Sequence, residues 1–398
     1  MRLTLLVTIL VFLLRASGAT SAGSLEIYCI NVGVGDSTLV LAPNGNCILI
    51  DSGKGTRQAE DAIVGLVEAL DRQGKLRARQ PKIPLFVVSH YDNDHIGGVK
   101  RVFSRLATPT IFYDIGAETE TTSRDYENYV EVTRRTTRRE LVPGKRLPLG
   151  AGVEARCLVV NGCIKSDRGV SPGYEAASDN WRCSGFLITY GRFKYFTAGD
   201  LTGASGEPEV EQRVAPVAGD VDVYHVDHHG SSTSSADEFL ETLKPEYAVI
   251  SVKSHRGYKH PRREVLERLQ ERGVQRIFTT GPGYEENVAG FEQVVTKDSN
   301  VRVVSNGVTY SIDCDDLPFS ESPNSDGIVA MAAPGTPPIL GGTVGAMGVS
   351  GSKSYHVFGD CRLLATSESL EPFATPSDAE SRSRRLCPLC RRRIVPAD

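Results

Sequence analysis

Apolar positions recur along the chain with two different periods, and polar turns separate the runs. Behind Arg2, an apolar core from Leu3 to Leu14 gives way to small residues at Ser17-Gly18-Ala19 and Thr20-Ser21-Ala22. A positive end, a core too short to cross a bilayer and a small-x-small site predict residues 1–22 as a cleaved signal peptide. Short β-branched and aromatic runs at 25–30, 37–41 and 47–51 predict paired strands, with Pro43-Asn44-Gly45-Asn46 as a turn. Ile63, Leu66, Val67 and Leu70 have helical spacing. The run 85–88 predicts a buried strand, and beyond a polar interruption Val99, Val102, Phe103 and Leu106 predict an amphipathic helix. From 114 to 185 the pattern weakens. It returns as a hairpin, 186–190 and 192–197 about Gly191, then as strands at 222–226 and 247–251. Ser235-Ala236-Asp237-Glu238 has the form of a capping box opening a helix. Pro261 suits the first turn of another, with Val265, Leu266 and Leu269 as its apolar stripe. Strands at 275–279, 301–304 and 308–312 follow, and 315–353 is rich in Pro, Gly and Ser with no apolar period.

A chain of 398 residues that is 40% hydrophobic and 24% charged is a folded protein with one large domain and room for a small one. Beyond the leader no stretch is long and apolar enough to span a membrane. A net charge of −4 gives no global case for nucleic-acid binding, so any such case rests on local patches. Arg134, Arg135, Arg138, Arg139, Lys145 and Arg146 form one basic run, which reads first as a solvated face. Nine cysteines do not reveal their connectivity, and an oxidising compartment would let two of Cys157, Cys163 and Cys183 pair.

Candidate chemistry concentrates in the polar interruption Ser89-His90-Tyr91-Asp92-Asn93-Asp94-His95-Ile96-Gly97-Gly98, on a strand-to-helix loop. Imidazole nitrogen and carboxylate oxygen are the donors that Zn²⁺ and Mn²⁺ accept. A helix cap would account for Asp92 or Asp94 but not for the flanking histidines. Three later strand ends also carry donors: Ala198-Gly199-Asp200, Asp227-His228-His229-Gly230-Ser231-Ser232 and Tyr258-Lys259-His260-Pro261.

The first stretch resembles the H-x-[HD]-x-D-H signature of the metallo-β-lactamase superfamily, with Asp92 where His is commoner. Its S-H-x-D-x-D-H-I-G-G form is similar to the hydrolase domain of ComEC-type DNA-uptake competence proteins. Asn31-Val32-Gly33-Val34-Gly35-Asp36-Ser37 resembles that family's opening motif with Val34 in place of Gln, and Ile48-Leu49-Ile50-Asp51-Ser52-Gly53 its next. The resemblance implies an α/β domain over 24–313, a four-layer αββα sandwich. It implies two divalent ions, Zn or Mn, with His90, Asp92 and His228 on one and Asp94, His95 and His260 on the other. Asp200 would stand between them and Asp51 behind the ligands. Asp94 would also assist proton transfer as the catalytic residue. The residues leave His228 against His229 open, and the family motif favours the first. A mid-chain histidine that many superfamily members carry has no counterpart between 114 and 185.

Lys253, Arg256 and Lys259, together with Arg262 and Arg263, give the surroundings of His260 positive charge, which suits a phosphodiester better than a neutral lactam or thioester. Nothing reads bases, so cleavage of nucleic acid without sequence specificity is expected. The alternative is hydrolysis of a small ester, lactam or thioester. With the leader removed, the enzyme would act in the periplasm or outside the cell. Beyond a linker at 314–353, His356, Cys361, Cys387 and Cys390 offer the four donors of a Cys₃His zinc site at 354–393. That stretch resembles the Ada-type metal-binding module and implies one structural zinc. A Cys387–Cys390 disulfide is the competing reading.

Overall fold

A computed structural model describes residues 23–116, 123–166, 169–171, 173, 180–296 and 298–312, and the backbone alone of 313–314, 320–323, 346–349, 354–356, 370–373 and 385–386. The leader, most of the linker and Cys361, Cys387 and Cys390 lie outside these residues.

Strands β1 (Leu25–Cys29), β2 (Thr38–Leu41) and β3 (Cys47–Ile50) pair antiparallel, and β4 (Leu85–Val87), β5 (Ile111–Asp114) and β6 (Thr137–Glu140) extend the sheet in parallel. A second sheet takes β7 (Arg146–Gly150), β8 (Val153–Val160), β9 (Cys163–Ser166), β10 (Gly169–Ser171), β11 (Gly185–Tyr190) and β12 (Phe193–Thr197). It continues in parallel through β13 (Val223–His225), β14 (Tyr247–Ile250), β15 (Arg276–Thr279) and β16 (Val294–Thr296). The chain then returns to the first sheet, where β17 (Val301–Ser305) lies between β1 and β18 (Thr309–Cys314).

Alternation along the central strands assigns the layers. Tyr195, Val223, Tyr247 and Val249 face a core shared with the first sheet, which also takes Ile63 and Val67 of α1 (Arg57–Arg72). Their neighbours Phe196, Tyr224, Ala248 and Ile250 face a second core with Val214, Phe239, Leu240, Leu266 and Leu269. Those last side chains belong to three helices, 210–218, 237–243 and 263–271. Parallel strands covered on both faces read as nearly continuous apolar runs, which is the composition of 247–250.

Several local expectations change. The segment 114–185 contains a helix, Arg124–Thr133, and β6 to β10. The helix after Ser235 begins at Asp237 with Ala236 as its N-cap and no side-chain cap bond. The buried carboxylate of Glu211 replaces the expected capping box, accepting from the Ser235 and Ala236 amides at 2.7 and 2.9 Å. Pro261 precedes its helix, Arg263–Glu271, instead of sitting in the first turn. Cys157, Cys163 and Cys183, which an oxidising compartment would have let pair, are free thiols. Arg138 departs from the solvated basic run: its Nε lies 2.7 Å from the buried carboxylate of Asp114, which also accepts from Tyr129 at 2.6 Å.

Candidate metal centre

The candidate ligands stand on loops at the carboxyl ends of β3, β4, β12, β13 and β14, where an open α/β sheet leaves backbone and side chains free to meet a ligand. After β4 the chain runs through Ser89 and His90 into a single helical turn, Asn93–Ile96. Asp92 is the N-cap of that turn but makes no capping bond, so its carboxylate is not spent on the helix. It lies instead 3.6 Å from His90 Nε2. Two glycines allow the loop to pack this closely. A Cβ on Gly35, at φ +101°, would fall 1.9 Å from the Asp94 carbonyl, and one on Gly98 2.1 Å from the Ser52 carbonyl.

Three histidines are held in the same manner, each Nδ1 engaged behind the ring and each Nε2 unpartnered in front. His90 Nδ1 meets Ser89 Oγ at 3.0 Å, His95 Nδ1 donates to Asp51 at 2.8 Å and His229 Nδ1 donates to the Ser251 carbonyl at 2.9 Å. Asp51 also accepts from the Ser89 amide at 2.8 Å, which ties the end of β3 to the loop after β4. Fixing one ring nitrogen in this way sets the tautomer and aims the other.

Asp200 divides the site between its two oxygens. Its Oδ1 lies 3.1 Å from His95 Nε2 and 3.4 Å from His229 Nε2, and Asp94 lies 3.6 Å from His229. Its Oδ2 lies 3.9 Å from His90 Nε2 and 3.7 Å from His228 Nε2. Donor atoms of His90, His95 and Asp200 fall within 4.8 Å of one another, as do those of Asp94, His95 and His229. Five buried atoms here, Nε2 of His90, His95 and His229, Nδ1 of His260 and Oδ1 of Asp200, have no hydrogen-bond partner. Buried polar atoms are rarely left so, and cations held beside Asp200 would satisfy those of His90, His95, His229 and Asp200. The donors present therefore fit divalent metal.

The charges agree with such a fit. Burial opposes ionisation of Asp200, but His229, His95 and His228 outweigh it and hold the carboxyl well below the usual carboxylate range. Asp94 is lowered in the same way, burial being overcome by His229 and His95. Burial favours neutral His229, yet Asp200 and Asp94 raise it to about 9. His260, with burial and then the positive neighbours His229 and His228 against it, falls to about 3.

Residues 30–153 match the metallo-beta-lactamase superfamily. Two curated relatives are Recombination protein 2 of Haemophilus influenzae, 29% identical over 61% of this chain, and ComE operon protein 3 of Bacillus subtilis, 27% identical over 65%. The alignments span 26% and 32% of those proteins' own lengths. Among solved structures, a metallo-beta-lactamase from Cronobacter sakazakii is 19% identical, with a TM-score of 0.31 over 50% of this chain and 74% of its own. With two sheets between helices, the architecture is the metallo-β-lactamase-like α/β fold that the motifs implied.

His90, Asp92, Asp94, His95, Asp200, His228 and His260 all border one region, and the last six except His95 line a cleft of about 110 Å³. A roomier hollow of about 380 Å³, lined by Glu26, Asn44, Lys75 and Arg77, lies away from these ligands. His229 is the residue that sequence reasoning left out of the ligand set. It stands beside Asp94 and His95, where His260 was expected. His260 is instead set back, its ring centre 6.4 Å from that of His229 and 5.9 Å from that of His228. The tandem histidines were the available signal. Which one turns inward depends on a left-handed backbone at both, φ 49° and 52°, and spacing does not reveal that. Of the expected substrate cations, Lys253 lines the cleft and donates to Gln58 at 2.7 Å, Arg256 is exposed, and Lys259 lies over the Tyr284 ring. His356 falls in a described strand, whereas Cys361, Cys387 and Cys390 lie outside the described residues, so the second zinc site stays an expectation.

Proposed function

We propose that the protein is an exported, metal-dependent phosphodiesterase that cleaves nucleic acid without reading its sequence. The observation that carries this reading is the convergence of three unpartnered buried imidazole nitrogens, Nε2 of His90, His95 and His229, on the two sides of Asp200. His90, Asp92 and His228 would hold one ion and Asp94, His95 and His229 the other, with Asp200 between and His260 beside them. When bound, such ions supply Lewis acidity toward a phosphoryl oxygen and lower the pKa of water. Asp51, Ser89 and the Ser251 carbonyl engage the Nδ1 atoms and keep each Nε2 aimed at the site. Asp94 is held ionised and borders the cleft, so it can accept a proton there. The cations of 253–259 favour a charged phosphodiester over a neutral lactam. Relatives named for recombination and competence support the same substrate class.

Replacing Asp94 with Asn keeps the size and removes the charge. Hydrolysis of bis-p-nitrophenyl phosphate should fall by about a hundredfold or more, with the metal content and melting temperature recorded alongside. Wild-type turnover by Asp94→Asn would remove Asp94 from the chemistry.

A further inference from the structure

The turn at 253–260, which borders the cleft, carries a feature that metal chemistry does not use. Tyr258 is 57% exposed, whereas the other described Tyr, Phe and Trp rings are buried or half-buried. The exposed ring is nonetheless held in place. His255 Nδ1 accepts from the Gly257 and Tyr258 amides at 3.2 and 3.3 Å, and the Lys259 amide donates to the His255 carbonyl at 2.8 Å. The His255 and Tyr258 ring centres are 4.7 Å apart, and Tyr258 stacks on His260 at 5.9 Å with only 9° between planes. Three aromatic faces thus form a stair from solvent down to a candidate ligand. Around it, the turn carries Lys253, Arg256 and Lys259 and no acidic residue, and Arg256 forms no ion pair among the described residues.

We infer that Tyr258 and His255 form a stacking platform for a base of a single-stranded polynucleotide. This rests on the phosphodiesterase reading and names the form of its substrate. A π-face beside cations is what an unpaired nucleotide requires: the base stacks on the ring and the flanking phosphates meet Lys and Arg. Bases inside a duplex have both faces covered, so the platform selects single strands. Every base has a π-face, so it does so without sequence preference.

The test is binding by the full chain with Zn²⁺, read by fluorescence anisotropy, with a phosphorothioate oligothymidylate that resists cleavage. An abasic phosphorothioate of the same length is the comparison. The wild type should bind the thymidylate about tenfold or more tightly than the abasic strand. Tyr258→Ala should lose that discrimination, and Tyr258→Trp should restore it. Equal affinity of the wild type for both strands would overturn the platform, as would full discrimination by Tyr258→Ala. Neither outcome depends on cleavage. A protein that discriminates the strands but hydrolyses no phosphodiester would retain the platform and refute the proposed activity.

Discussion

Asp51 sits at φ +57°, in the left-handed region that Asn and Asp tolerate better than most side chains. That backbone lets its carboxylate turn back onto His95 and Ser89 at the end of β3. Asp51→Asn preserves the conformation and removes the acceptor charge, so metal affinity should fall by about 10- to 100-fold in a chelator competition. Unchanged affinity would show that the His95 ring is fixed by other means. His229 leads to a second expectation. Its pKa of about 9 and the raised value of His95 mean that both rings hold protons in the ion-free site near neutrality. A cation must displace those protons, so affinity should rise as pH increases toward about 9, and metal uptake should acidify a weakly buffered solution. Titrations at pH 6 and pH 8 with equal affinities would contradict this. The contiguous donors His90, Asp92, Asp94 and His95 could be read from the sequence because ligand types and a loop coincide there. His229 could not, because its direction is set by φ.

Among the elements, those with a clear apolar period were readable: the strands at 25–29, 47–50 and 247–250, and the helices at 57–72 and 263–271. The segment 114–185 was not, for physical reasons. Its strand Thr137–Glu140 is an edge of four polar residues, with no buried face to produce alternation. The cap at Ser235 comes from Glu211, 24 residues away, and no local motif reports a distant acceptor. Arg138 looked like one of several solvated arginines, yet it neutralises Asp114 where the helix 124–133 packs on the first sheet. Arg138→Ala leaves that carboxylate buried without its cation. The loss should be about 2 kcal/mol by chemical denaturation, below the range for fully buried pairs because Arg138 keeps 29% of its side chain exposed. Arg135→Ala, at an exposed position, should stay within about 0.5 kcal/mol of wild type. Equal effects from the two would return Arg138 to the solvated face.

For the whole molecule, two sheets meet face to face, and every candidate ligand of the first site lies between residues 90 and 260 at one end of them. Strand and helix patterns could predict an α/β chain, but only the ordered motifs pointed to the four-layer stacking, since periodicity does not say which sheet covers which. Among the described residues no helix is long and apolar enough to cross a membrane. The central claim is that this end of the molecule is a metal-dependent phosphodiesterase. Its most direct test is one protein sample stripped with EDTA and reloaded with Zn²⁺ or Mn²⁺, assayed on bis-p-nitrophenyl phosphate, single-stranded DNA and nitrocefin. Both phosphodiesters should be cleaved only after metal is restored, with little or no opening of the lactam. Phosphodiester cleavage that survives EDTA, or metal-restored activity confined to nitrocefin, would contradict it.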